Sequence, residues 1–126
     1  MQCSICSGVK IAAWDKIVQI EFNENREGFY ATFENGWVMS VQWNLRNYVS
    51  SNTVEIAAWD EDEDVWWDFV RRTPVDPHSS VTGWVTSDKL GEYMDDIASI
   101  TMGSAELQLM VQRSRDIDSI IEWMEA

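Results

Sequence analysis

The residues with most capacity for chemistry are five consecutive acids, Asp60, Glu61, Asp62, Glu63 and Asp64. They lie in a stretch, Asn47 to Val70, that holds seven acids and no Lys or Arg. Three uses of such a run can be weighed. Asp60, Asp62 and Asp64 match the first, third and fifth ligand positions of a helix-flanked calcium loop. The sixth position is then Val65, where the sharp turn needs Gly, and the twelfth is Arg71, where the ion needs a bidentate Glu. No metal site is therefore expected. A charged turn also protects a sheet edge against pairing with other chains, which suits a run followed by Trp66 and Trp67. The third use is mimicry: alternate residues of an extended chain lie about 6.6 Å apart, similar to neighbouring phosphates along one nucleic-acid strand. Asp60, Asp62 and Asp64, with Glu92, Asp95 and Asp96 on an acidic helix face, would then offer a row of negative charge to a basic groove.

Other reactive residues are few. Cys3 and Cys6 form a lone C-x-x-C, with no further Cys and with His78 as the single His. Structural zinc wants four ligands, and a redox pair normally follows a strand and opens a helix. These thiols are expected to be incidental and reduced. His78 has Asp76 and Ser79 beside it, but nearness in sequence is not triad geometry. There is no phosphate-cradling G-x-x-x-x-G-K-[ST], no G-x-G-x-x-G and no H-E-x-x-H. No enzyme, no catalytic residue and no cofactor are expected.

The net charge of −13, from 22 acids against 9 bases, opposes unaided binding to nucleic acid or to an anionic membrane. It favours solubility, or a basic protein partner built to hold nucleic acid. No stretch reaches the roughly 18 apolar residues of a membrane span, and "MQCSICSGVK" does not read as a signal peptide. A cytosolic protein is expected. At 126 residues the chain reads as one domain with its own core: a loose N-terminus over 1–10, a β-rich part over 11–86 and a helical part over 87–126.

The elements that must position the acids follow from hydrophobic period. Residues 11–22 read as a strand, with "VQIEF" alternating cleanly, and "FYATF" and "WVMSVQW" (Trp37–Trp43) read as strands too. Asn35-Gly36 between the last two predicts a type I′ hairpin turn. "TVEIAAW" (Thr53–Trp59) and "VWWDFV" (Val65–Val70) read as strands flanking the acidic turn, "RRTPVDPHSS" as a loop and "VTGWVT" as a short extended segment. From Ser87, expected as an N-cap, the period becomes helical: Leu90, Tyr93 or Met94, Ile97 and Ile100 share a face. After Gly103 a second helix carries Leu107, Met110, Val111, Ser114, Ile117, Ile121 and Met124 as a stripe, with "RDID" (Arg115–Asp118) a candidate interruption. Strands first and helices last predict an α+β fold: an antiparallel sheet of about five to six strands, in meander or hairpin order, with two C-terminal helices packed on it. The pentapeptide "IAAWD" occurs at Ile11–Asp15 and Ile56–Asp60, each followed by a "GWV". The intervening turns differ, so the copies read as convergence on a strand ending, not as two sites.

Three motifs, "FENGWVMSVQW" (Phe33–Trp43), "VEIAAWD" (Val54–Asp60) followed by "WWDF" (Trp66–Phe69), and "GWVTSDKLGEYMDDIA" (Gly83–Ala98), resemble in order and spacing a group of small proteins of tailed bacteriophages. The likeness covers about residues 29–100, and the acidic run is heavier here than in that group. The resemblance implies a phage gene expressed in the cytoplasm of an infected bacterium and carries over no catalytic residue. The leading expectation is therefore an acidic interaction protein that inhibits a host nucleic-acid-binding complex, of anti-CRISPR or anti-restriction type. Its partner would be a basic host protein or nucleoprotein, met by Asp60–Asp64 with an exposed Trp66 or Trp67, by Asp68, and by Glu92, Asp95 and Asp96. One alternative is a binder of a nucleotide signal, using Arg46, Arg71 or Arg72 for phosphate and Trp43 for stacking. Another is a structural or accessory phage protein that forms a homodimer through the helix Ala105–Met124.

Overall fold

The computed structural model describes residues 14–24, 27–43, 53–78 and 80–125. Cys3, Cys6, Arg46, Ser79 and most of the first "IAAWD" copy lie outside the described residues. The chain is α+β. Among the described residues seven strands form one antiparallel sheet: β1 (Ile17–Phe22), β2 (Gly28–Phe33), β3 (Trp37–Gln42), β4 (Val54–Asp60), β5 (Val65–Asp68), β6 (Thr73–Val75) and β7 (Thr82–Val85). The first six are adjacent in chain order, and β7 returns to pair with the start of β4. Helices α1 (Ser87–Ala98) and α2 (Ser104–Glu125) follow.

Period 2 sorts the side chains. Phe29, Ala31 and Phe33 of β2 face the same side as Trp37, Met39 and Val41 of β3, Val54, Ile56 and Ala58 of β4, and Val65 and Trp67 of β5; all are buried. Onto this inner face α1 sets Leu90, Met94 and Ile97, and α2 sets Leu107 and Val111. Each such side chain contributes about 1.5–3 kcal/mol by leaving water, so this layer carries the fold. The spacing of four and three residues within each helix is the amphipathic period that allows it.

Several local expectations are corrected. The stretch read as a loop, Arg71–Ser80, contains β6. Pro74 is tolerated there because β6 pairs only with β5 and is an edge, where a missing N–H costs no ladder bond. The Asn35-Gly36 turn is not type I′. Gly36 alone has positive φ, +89°, and its N–H donates to the Phe33 carbonyl at 2.9 Å, which makes a three-residue loop with glycine in the left-handed region. The Asn35 side chain joins the turn to a helix instead. Its amide Oδ1 accepts the Trp37 N–H at 3.1 Å. Its Nδ2 donates to the carbonyls of Ile97 and Ile100 at 2.9 and 3.1 Å, capping the end of α1 from the sheet. Helix α1 begins at Ser87 with Thr86 as N-cap, and no side chain caps it.

Helix α2 runs unbroken through Arg115–Asp118 for 22 residues, about 33 Å. Only its first half is covered. Beyond the buried Ser114, whose hydroxyl donates to the Pro74 carbonyl at 3.3 Å, Ile117, Ile120, Ile121, Trp123 and Met124 are all exposed. Of the pentapeptide copies, the second ends β4; after the first, the strand expected over 11–22 begins only at Ile17, because Trp14–Lys16 form a 3-10 turn.

Candidate functional site

Helices cover one face of the sheet. On the other face lies a cleft of about 900 Å³, lined by Gln19, Glu21, Tyr30, Thr32, Gly36, Val38, Trp59, Trp66, His78 and the acids Asp60, Glu61, Asp62 and Asp64. It is built by register. Trp59 of β4 sits directly opposite Trp66 of β5, and their rings stack with centroids 5.2 Å apart and planes 26° from parallel. The Trp59 ring meets Tyr30 of β2 edge-on at 6.1 Å, across the smaller side chains of β3. Trp66 meets His78 at 4.7 Å. A row of four rings thus crosses the open face, with Thr32 and Val38 beside it. Aromatic side chains in such a row offer flat apolar area with electron-rich faces.

The acidic run forms the rim at the end of β4 and β5. Its four-residue turn, Glu61–Asp64, is tight, so the extended-chain spacing behind a phosphate-like row does not apply to it. Two of the five acids hold the turn together. Asp60 Oδ1 accepts the N–H groups of Asp62 at 3.0 Å and Glu63 at 3.4 Å. Burial raises the Asp60 pKa above its ordinary value, opposed by those two backbone bonds and reinforced by the charges of Asp62 and Glu63. The Glu63 carboxylate accepts the Ser104 hydroxyl at 2.7 Å, and Gln108 donates to the Glu63 carbonyl at 3.0 Å. The turn is therefore anchored to the start of α2. Asp64 closes it at φ +53°. Glu61, Asp62 and Asp64 remain exposed, with the Trp59 indole N–H donating to Glu61 at 3.3 Å.

The other expected contact residues fall elsewhere. Trp67 is buried on the inner face, its ring 5.9 Å from Trp37 and nearly perpendicular to it; of the Trp pair it is Trp66 that borders the cleft. Asp68 caps its own turn, accepting the N–H groups of Val70 and Arg71 at 2.9 Å each. Glu92 pairs with Lys89 at 3.1 Å and Asp96 with Arg72 at 2.8 Å. With Asp95 they lie on α1, which packs on the inner face, and none of the three lines the cleft. The described residues expected to bind a nucleotide do not line it either: Arg71 pairs with Asp118 at 2.8 Å and Arg72 with Asp96, while Trp43 packs on Phe29 at 5.9 Å.

Among the described residues no Lys or Arg lines the cleft, so these residues offer an anion no cationic anchor. What it offers is aromatic surface beside carboxylates, the surroundings of an organic cation. Among the described residues no group of three or more His, Cys, Asp or Glu is arranged to hold a metal ion, and no helix is long and apolar enough to cross a membrane. Tyr30, Trp59, His78 and Glu21 are the site residues that sequence reading missed. For the two tryptophans a signal existed: a four-residue loop over 61–64 places residue 59 opposite residue 66. Comparison of the chain with protein-family models, with curated proteins and with solved structures finds no match.

Proposed function

We propose that this protein acts by binding, not by catalysis, and that it holds a basic protein against the open face of its sheet. The observation that carries this reading is the cleft itself: a stacked Trp59–Trp66 pair with Tyr30 and His78, rimmed by Glu61, Asp62 and Asp64, with no Lys or Arg lining it among the described residues. The −13 charge adds long-range attraction, which speeds encounter with a basic partner and fades with salt. The likeness to small phage proteins supports a partner in an infected bacterium, a nucleic-acid-binding defence or processing complex whose basic groove is occupied in place of nucleic acid. The test is capture of such a basic protein by the wild-type chain, with release by competing DNA. A partner that is retained at unchanged affinity by the variant Glu61→Gln/Asp62→Asn/Asp64→Asn would remove the reading.

A second reading, a structural or accessory role through self-association, is favoured by the exposed apolar end of α2, Ile117 to Met124. Light scattering across concentration tests it, and a strict monomer at high concentration counts against it.

A further inference from the structure

We infer that the cleft selects arginine over lysine, and that its occupant is an arginine-bearing segment of the partner protein. The inference rests on the reading that the open face binds a basic protein. Two features of the cleft separate the two cations. Its surface is aromatic where Trp59 and Trp66 stack, and a planar guanidinium can lie against an indole while its edge remains free. An ammonium is a compact, strongly hydrated point charge and gives up more water to reach the same place. The rim then supplies acceptors for that free edge: Glu61, Asp62 and Asp64 are exposed carboxylates beside the ring row, and a carboxylate matches the guanidinium fork with two parallel hydrogen bonds.

The rim is also fixed in advance. Asp60 and Glu63 bind the turn to itself and to Ser104, so little ordering is required of it on binding, and geometry then counts for more than net charge. A further carboxylate, Glu21 of β1, borders the same cleft from the far side of β2 and β3. From β1 to β4 is about 14 Å, three interstrand spacings of about 4.8 Å. A segment with two basic side chains can therefore reach both ends. Charge complementarity identifies the occupant as cationic; the ring row identifies which cation.

The test uses the wild-type chain and two labelled peptides of equal length and charge, one alternating Gly and Arg, the other alternating Gly and Lys. Binding is followed by fluorescence anisotropy at low and moderate salt. The Arg peptide is expected to bind about tenfold more tightly, as cation–π stacking with bidentate acceptance implies. Replacing Trp59 by Leu is expected to weaken Arg-peptide binding far more than Lys-peptide binding and so abolish most of that difference, since charge attraction does not need the ring; an unchanged Arg-to-Lys ratio in the variant overturns arginine selection by the ring row. Far-UV circular dichroism of the variant establishes that its sheet is retained. Equal affinity of the wild type for both peptides overturns arginine selection and leaves the basic-partner reading standing. Failure to bind either peptide at low salt overturns both.

Discussion

The Oδ1 of Asp60 accepts the backbone N–H of Asp62 at 3.0 Å, so the first acid of the run serves its own turn. Its carboxylate is charged where it is half-buried and close to Asp62 and Glu63, and its pKa is raised, chiefly by burial. A raised folded-state pKa gives stability that is present below the unfolded value and is lost as pH rises through the folded one. Asp60→Asn keeps the acceptor and removes the charge. It is expected to match or exceed the wild type in urea denaturation at pH 7, with a flatter pH dependence through the carboxylate range. Asp60→Ala loses the acceptor and should cost about 1 kcal/mol.

Asp76 has the opposite sign. Arg115 donates to it through Nε at 2.8 Å and through a second guanidinium nitrogen, and that bond holds the carboxyl below its ordinary range. Its contribution is present above the unfolded pKa and is lost as pH falls through the folded one. Both partners are about half exposed, so the effect of Asp76→Asn at neutral pH is expected to be under about 1 kcal/mol. In denaturation curves collected across acid pH, the variant and wild type should converge as the pH falls.

Asn35 makes three hydrogen bonds that join the β2–β3 turn to the end of α1. Asn35→Ala leaves part-buried carbonyls without that donor, at a cost of about 1–3 kcal/mol. Asn35→Asp is expected to be worse, because it brings a carboxylate against the carbonyl oxygens of Ile97 and Ile100. Urea midpoints of the two variants check the order.

Trp84 sits in β7 at φ +60°, where Gly83 and Trp84 together oppose the single residue Glu55 of β4. The residue is 62% exposed, so burial offsets little of the backbone cost. Ordinary strand preference ranks Val above Gly, yet at this φ the order should reverse. Thermal denaturation is expected to find Trp84→Gly more stable than Trp84→Val by about 1 kcal/mol.

How much could be read from the sequence varied with how far each decision reached. The alternation of Trp37–Gln42 and the helical period after Ser87 are local, and both elements stand where the pattern puts them. Strand β6 was hidden because Pro74 reads as a breaker until its edge position is known. The two faces of Val65–Asp68 were ambiguous because Trp66 and Trp67 are both aromatic; the covered face is decided by α1 and α2, far along the chain. The end of α2 shows the same limit: its apolar period continues to Met124, but the sheet beneath it does not. The acidic run was visible as a turn, whereas its aromatic floor needed the pairing of β4 with β5 and the reach of Tyr30 over β3.

The most direct test of the central claim, that the cleft and not the net charge binds a basic partner, is a comparison at equal charge. Two variants each lose three acids: Glu61→Gln/Asp62→Asn/Asp64→Asn on the rim, and Glu106→Gln/Glu122→Gln/Glu125→Gln on α2. Affinity for the alternating Gly-Arg peptide is measured for both at moderate salt. The rim variant is expected to lose about tenfold or more, and the α2 variant about twofold or less, since exposed distant charges are screened. Equal losses in the two variants would contradict the claim and leave only unlocalised attraction.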